Sequence, residues 1–446
     1  MNAPLKPDKK RAKAERIINT LIDAGFEAYL VGGCVRDQLL GVECPDYDIA
    51  TSAHPEQVQA IFKRTVAIGA SFGVILVMDG DDSFEVATFR SDDRYIDGRR
   101  PVSVRFVSAK EDVERRDFTI NGLLYDIRSN RVIDYTYGVS DLNNKILRTI
   151  GDPTSRFTED KLRLMRAVRF ASRFSLQIEP ETWNAVQKLA HQIIEVSSER
   201  IRDELDKMLM GPNPHKAMEL LSDSGIMKII LPEILRLKGV EQPPEFHPEG
   251  DVWQHTMLML QIMDEQKIPR TKELVWSILL HDVGKPDTFY RASDRIRFNN
   301  HNTVGKTISE RILKRLKVSS NLLDSVTEAV NNHMAFMNVP NMRVNTLKKL
   351  IRKPTFPMEL ELHKLDCLSS HRDMKITEIL QTKLHELGAE KISPPPLITG
   401  KDLLKMGYKP GPLFKKILEE VEDQQLLEVI KTEKEATEFV ILRFPL

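Results

Sequence analysis

Val31-Gly32-Gly33-Cys34-Val35-Arg36-Asp37, and shortly after it Pro45-Asp46-Tyr47-Asp48-Ile49-Ala50, are the stretches on which the reading of the fold turns. The first follows a strand-like run, 28–31, and opens a helix-like one, 37–40. Paired glycines behind a strand let backbone N–H groups come close to a phosphate, and a helix start behind them favours an anion. The same pair also makes an ordinary tight turn. Residues two apart in a strand face the same way, so Asp46 and Asp48 present two carboxylates side by side. Like charges that close repel unless a cation lies between them. Hard oxygen ligands suit Mg2+, which also takes oxygens from a nucleoside triphosphate. Glu85, in a strand over 83–89, is a third carboxylate that a neighbouring strand can bring beside the pair. Three carboxylates can hold two cations for phosphoryl transfer. The plain alternative is an exposed Asp pair at a strand edge and one exposed Glu on an alternating strand.

Outward from this point, residues 1–150 mix short strands and helices. Strands are expected at 28–31, 48–50, 74–78 and 83–89 from β-branched and aromatic content, and a helix at 55–62. From Thr158 the pattern changes to long helical periodicity, with Thr158 as N-cap and Glu159 and Asp160 favourable to the helix dipole. Pro243, Pro244 and Pro248 mark a boundary near 240, and Pro394-Pro395-Pro396 another near 394. The expected fold is α+β: an α/β head over 1–150, then a mostly helical body divided into a neck (151–240), a domain (241–392) and a tail (393–446). Asp160 and Arg163, three apart on a helix, share a face. A carboxylate acceptor beside a guanidinium fork can pair with a nucleobase edge, or simply form a surface ion pair.

The 446 residues are 41% hydrophobic and 29% charged, an ordinary globular balance. No apolar stretch approaches the ~20 residues that cross a bilayer, and Met1–Arg16 lacks the apolar core of a secretory signal. Cys34, Cys44 and Cys367 fit neither a disulfide framework nor a zinc ribbon, which points to a reducing cytoplasm. Lys+Arg and Asp+Glu both number 65, which argues against a general nucleic-acid coat. Local basic runs at 90–116, 161–173 and 343–353 can still carry phosphate contacts.

With these residues in view, the first half of the chain resembles the class II tRNA nucleotidyltransferases and their relatives, the bacterial poly(A) polymerases. Gly32-Gly33-x-Val35-Arg36-Asp37 and Asp46-x-Asp48 resemble the start of the family's head, and Glu85-Val86-Ala87-Thr88-Phe89-Arg90 the strand with the third carboxylate. Arg94-Tyr95-Ile96-Asp97-Gly98-Arg99-Arg100-Pro101 resembles the flexible loop. Arg115-Arg116-Asp117-Phe118-Thr119-Ile120-Asn121 resembles the segment that grips the nucleotide, and Glu159-Asp160-Lys161-Leu162-Arg163 the helix that reads the base. Gly122 stands where the family usually has Ala.

The resemblance implies a polymerase-beta-like nucleotidyltransferase head that adds C and A to the 3′ end of tRNA from CTP and ATP, without a template. Asp46, Asp48 and Glu85 would be its catalytic residues, with Mg2+ on the two aspartates. Gly32, Gly33, Arg36, Arg115, Arg116, Asp117, Asn121, Asp160, Arg163, Arg166 and Arg169 would bind the nucleotide. The body would grip tRNA by shape and phosphate contacts.

Two narrower activities share this head. Poly(A) polymerases of the family carry basic residues after a Gly near position 69, which Gly69-Ala70-Ser71-Phe72 lacks. Enzymes that add only C tend to lack the flexible loop, which Tyr95–Pro101 supplies. Addition of A alone stays open.

The body holds a second constellation. His255, the adjacent pair His281-Asp282 and a later Asp366 are residue types that bind a divalent transition metal with open positions for water. A His–Asp hydrogen bond in a core would satisfy the pair too. The order resembles the HD phosphohydrolase domain, carried by some bacterial tRNA nucleotidyltransferases, where it hydrolyses phosphomonoesters or 2′,3′-cyclic phosphodiesters. His301 and His333 fall where two-metal members place extra ligands. A hydrolase whose head only binds RNA has no need for the paired carboxylates.

Overall fold

The protein, described by a computed structural model over residues 9–69, 73–92, 104–392 and 394–446, divides into two compact units, Met1–Leu235 and Arg236–Leu446. In the first, seven strands form a sheet: β1 (Ala28–Val31), β2 (Ile49–Thr51), β3 (Thr65–Gly69), β4 (Val74–Asp79), β5 (Asp82–Thr88), β6 (Leu123–Asp126) and β7 (Arg131–Asp134). Their order is β3-β4-β5-β2-β1-β6-β7; β2 and β5 run parallel, and every other neighbouring pair is antiparallel. The helix Lys9–Asp23 buries Ala14, Ile17, Ile18 and Leu21, one face of a 3.6-residue period, against Leu30, Ile49, Ile75, Phe84 and Val86. Across the sheet, Val31, Ala50, Phe89 and Leu124 pack with Ala109 and Val113 of the short helix Ala109–Glu114. Phe84 and Phe89 are each 1% exposed, and burial of a side chain of that size contributes about 1.5–3 kcal/mol.

Behind the sheet the chain is helical, through Pro153–Glu159, Leu162–Phe174, Pro180–Leu189, Ser198–Met210 and Pro214–Asp223. The second unit is almost wholly helical. Four of its helices position the histidines: Val252–Glu265, Lys272–Leu280, His301–Arg315 and Phe356–Ser369. A small hairpin, Phe289–Arg291 with Ile296–Phe298, lies between the second and third of these. Beyond the prolines at 394–396, the helices Gly400–Lys405, Pro412–Leu426 and Glu433–Arg443 close over Leu403, Ile417, Val421 and Val440. The buried Lys348 donates to the Leu426 carbonyl at 2.8 Å, tying this part to the rest of the unit.

Several local expectations change. The strand expected at 48–50 begins at Ile49, so Asp46 and Asp48 sit in the segment leading into β2. The helix expected from Asp37 already starts at Gly33. Thr158 caps nothing: it lies inside Pro153–Glu159, whose N-cap is Asp152 accepting from the Ser155 amide. The helical run then breaks at Asp160, which has extended backbone (φ −137°, ψ 105°), and resumes at Leu162. Asp160 and Arg163 are therefore not on one helix. The stretches 94–101 and 70–72 lie outside the described residues.

Candidate functional site

In the first unit a cavity of about 470 Å3 opens where the glycine turn after β1 meets the helix Leu162–Phe174. Its wall contains eight arginines: Arg36, Arg115, Arg116, Arg163, Arg166, Arg169, Arg173 and Arg200. Gly32, Gly33, Asp117, Asn121 and Asp160 line it as well, so all eleven residues that the sequence suggests for nucleotide binding meet in one place, and Asp48 joins them. Leu162, Phe170, Arg173 and Arg200 were not singled out as site residues; the first three share the helix of Arg163, Arg166 and Arg169, and only Arg200, on Ser198–Met210, is brought in by long-range packing.

The glycine turn is constrained by what presses on it. Gly32 has φ +72°, and a Cβ there would lie 3.2 Å from Arg116 Nη1. Its amide donates to the Leu123 carbonyl at 3.0 Å, which fixes the turn to β6. Arg36, on the helix Gly33–Leu39, is buried; it is bonded to Asp37 and the Asn121 side-chain oxygen, with its guanidinium 4.5 Å from the Phe174 ring centroid. Arg115 and Arg116 are steered by one buried acid, Asp112, whose two oxygens accept from them at 2.7 and 2.9 Å. Burial would raise the Asp112 pKa, but the two guanidiniums hold it below the ordinary value. Asp117 behaves the same way. Burial works against its charge, yet Arg166 at 2.5 Å and the Asn121 amide at 2.9 Å keep its pKa at about 2.

The pair expected to read the base has other partners. Both oxygens of Asp160 accept from Arg200 Nη2, at 3.1 and 2.8 Å, and Arg163 bonds Glu159 at 2.6 Å. Arg169 is anchored on the buried Glu204 at 2.6 Å.

Burial alternates along the segment before β2: Asp46 and Asp48 are exposed while Tyr47 and Ile49 are buried, so the two carboxylates do share a face. Ile49 pairs with Val86 across the parallel β2–β5 ladder, which brings Asp48 level with the exposed Glu85. Desolvation by the surrounding wall, then the Glu85 charge, and to a lesser degree Asp46, push the Asp48 pKa up to about 6. A divalent cation relieves that crowding, and all three donors are hard oxygens suited to Mg2+. Asp46 Oδ1 is paired with Lys10 Nζ at 2.6 Å. The three carboxylates do not form one of the tight donor groups found among the described residues.

Those tight groups all lie in the second unit. His255 sits on Val252–Glu265, His281 and Asp282 at the end of Lys272–Leu280, and Asp366 on Phe356–Ser369. His301 opens its helix, and His333 follows Ser320–Asn332. Gly284 allows the approach: a Cβ there would meet the His301 carbonyl at 2.1 Å and the Gly305 amide at 2.6 Å.

Three imidazoles have Nδ1 on a backbone carbonyl, His281 on Ile278, His301 on Phe298 and His333 on Val330, at 2.7–2.8 Å. A carbonyl only accepts, so in the neutral ring Nδ1 carries the proton and Nε2 a lone pair. Nε2 of His301 and of His333 then face each other at 3.0 Å, lone pair to lone pair. Burial lowers both pKa values, that of His333 to about 3, and a cation placed between the two nitrogens would separate the lone pairs.

Asp282 joins the two halves. Its Oδ2 lies 3.1 Å from His281 Nε2, and its Oδ1 3.5 and 3.8 Å from His301 and His333 Nε2. Nε2 of His255 is 3.2 Å from Asp366 Oδ1, yet Nε2 of His255 and His281 are buried without a hydrogen-bond partner. Converging donors without hydrogen-bond geometry fit a divalent transition metal. A cavity of about 560 Å3 borders the cluster, with Asp282, Asp366, His301 and His333 beside Lys285, Arg295, Phe246 and Met337.

Three family models match the chain: the poly(A) polymerase head domain over 28–148, the RNA- and SrmB-binding site of polymerase A over 175–237, and tRNA nucleotidyltransferase domain 2 over 301–440. The CCA-adding enzyme of Ligilactobacillus salivarius is 41% identical over 253 residues, covering 55% of this chain and 62% of that protein. The CCA-adding enzyme of Streptococcus uberis is 49% identical over 202 residues, covering 45% and 50%. The chain thus spans less than two thirds of the length of these curated relatives. Over the full length it is similar in structure to the Bacillus stearothermophilus CCA-adding enzyme in complex with CTP, with TM-score 0.74 and 26% identity over 98% of this chain and 99% of that one. The head, the RNA-binding segment and the arginine cavity between them agree with these matches, and the chain carries a poly(A) polymerase head domain and a tRNA nucleotidyltransferase domain.

Proposed function

We propose that the chain adds C and A nucleotides to the 3′ end of tRNA, taking CTP and ATP as substrates. The observation that carries this reading is the cavity in which eight arginines surround Asp48 and Asp160. It combines charge for a triphosphate, a metal-type carboxylate and an acid suited to a base edge. The Bacillus stearothermophilus relative, similar along its whole length, binds CTP in its crystal structure. When bound, Mg2+ supplies activation of the attacking hydroxyl and neutralisation of the departing pyrophosphate.

The chain's own residues do the rest. Asp46, Asp48 and Glu85 would hold the cations. Arg36, Arg115, Arg116 and Arg166 clamp the triphosphate, held ready by Asp37, Asp112 and Asp117. Asp160 and Arg163 exchange their present partners for the amino group and ring nitrogen that C and A share. The deciding assay gives the protein tRNAs ending before CCA, after C and after CC, with CTP or ATP singly. Two C additions from CTP and one A from ATP are expected. A long A tail on unrelated RNA would instead mark a poly(A) polymerase, and extension of the CC end with ATP but of no end with CTP an enzyme that adds only A.

The histidine–carboxylate centre favours a second activity alongside the first, metal-dependent hydrolysis of phosphate esters of the HD type. His255, His281, Asp282 and Asp366 would hold one cation. Asp282, His301 and His333 would hold a second, the facing lone pairs being the observation that favours it. Asp282→Ala is expected to abolish hydrolysis of a 2′,3′-cyclic nucleotide; unchanged hydrolysis would remove this assignment.

A further inference from the structure

Glu249 belongs to no motif in the sequence. It sits in the turn before the helix Val252–Glu265, and its side chain is only 8% exposed. One of its oxygens, Oε1, lies 2.6 Å from Nδ1 of His255 and 2.8 Å from Nδ1 of His247. The other, Oε2, is buried without a hydrogen-bond partner. Such a carboxylate is costly to bury unless its charge is used.

The other three histidines of the centre have Nδ1 on a neutral backbone carbonyl. His255 alone has it on a carboxylate. A ligand imidazole whose Nδ1 proton goes to a carboxylate is fixed in tautomer and ring angle, and its Nε2 becomes more basic. His247, held by the same oxygen, lines the adjoining cavity with its ring centroid 5.0 Å from that of His255.

We propose that Glu249 is the positioning residue of the histidine–carboxylate centre: it takes the Nδ1 proton of His255, so that Nε2 meets the divalent cation beside Asp366, and it holds His247 in the cavity wall. This rests on the reading of the centre as a cation site and names the group that tunes it. His247, Glu249 and His255 also lie close enough to form a donor group of their own, but Glu249 Oε1 is within hydrogen-bond distance of both Nδ1 atoms, and the role given to it here is to act through His255.

The test is Co2+ titration of the metal-free full-length protein, followed by visible absorption, which reports cobalt on histidine nitrogen and not cobalt on the carboxylates of the head. Glu249→Gln keeps the shape and the acceptor oxygen but removes the charge, and Glu249→Leu removes both. Loss of an outer carboxylate typically costs 10–100-fold in metal affinity. Affinity should therefore fall about tenfold in the Gln variant and about a hundredfold in the Leu variant, with cobalt bands shifted because the ring angle is freed. Far-UV dichroism like that of the unaltered protein shows that each variant is folded. Asp366→Ala is titrated in parallel. If it loses cobalt while both Glu249 variants bind within twofold of the unaltered protein and with the same bands, the role given to Glu249 is wrong. If Asp366→Ala itself binds cobalt unchanged, the cation site is wrong, and the inference goes with it.

Discussion

Asp112 does not line the arginine cavity, yet the posture of Arg115 and Arg116 depends on it, because its two oxygens hold them at 2.7 and 2.9 Å. Hydrogen bonds to charged groups are worth about 1.5–3 kcal/mol, and about 1.4 kcal/mol is tenfold in affinity. Asp112→Ala is therefore expected to raise KM for CTP and ATP about tenfold with a smaller change in kcat, read from steady-state primer extension. An unchanged KM would mean that neither arginine meets the triphosphate. Asp117 makes a prediction in pH. Its folded pKa of about 2 lies below the ordinary 3.8. An acid depressed in the fold contributes stability above its unfolded pKa and loses it as pH falls through the folded one. The shift of about two units corresponds to roughly 2.5 kcal/mol. Asp117→Asn should lower the melting temperature at pH 7, and the gap to the unaltered protein should narrow between about pH 4 and about pH 2. A gap that is the same at both ends would show that the Asp117 charge is not what stabilises this contact.

At the level of elements, four strands of the sheet were readable because β-branched and aromatic runs meet a half-buried sheet, and the observed β1 has the expected limits, 28–31; β3, β6 and β7 were not anticipated. The sharing of a face by Asp46 and Asp48 was readable too, since it follows from a period of two. Other features were not legible. The break at Asp160 is hidden because Glu159-Asp160-Lys161 looks helical; in the fold its carboxylate accepts from the Leu162 amide at 3.1 Å and pairs with Arg200, forty positions on. Arg200 acts through that distant partner, whereas Asp112 reaches Arg115 and Arg116 at the i+3 and i+4 spacing of a helical turn, and Glu249 reaches His247 and His255 within a few residues, so for these two it is burial, not sequence distance, that was hidden. Gly284 was not legible in the sequence, and its role is steric. Its φ is −83°, so no left-handed backbone is involved; the helix His301–Arg315 simply comes too close for a side chain. Gly284→Ala must push that helix away, separating His301 and His333 from Asp282. The expected outcome is loss of cyclic-nucleotide hydrolysis and about half of the bound transition metal, measured by elemental analysis of the purified protein. Full metal content with full hydrolysis would show that the close approach at Gly284 is not needed.

At the level of the whole molecule, the two units offer, among the described residues, donor sets of different chemistry. The head offers Asp46, Asp48 and Glu85, oxygens only. The second unit offers imidazole nitrogens with Asp282 and Asp366. Hard oxygen sets suit Mg2+, which keeps much of its water, whereas imidazole favours first-row transition metals in the order that rises from Mn2+ towards Cu2+. Chelation should therefore stop both reactions, and restoration should separate them. Added Mg2+ is expected to bring back nucleotide addition to tRNA but little hydrolysis of a 2′,3′-cyclic nucleotide, and Co2+ or Ni2+ at micromolar concentration to bring back hydrolysis. The same separation should follow from substitution. Asp48→Asn takes away one oxygen donor and should cost at least a hundredfold in addition, while Asp282→Ala removes the carboxylate shared by two donor groups and should cost as much in hydrolysis. If Mg2+ alone restored both reactions to the same extent, the histidines would not be ligands, and the lone pairs facing each other at 3.0 Å between His301 and His333 would need another cation to separate them.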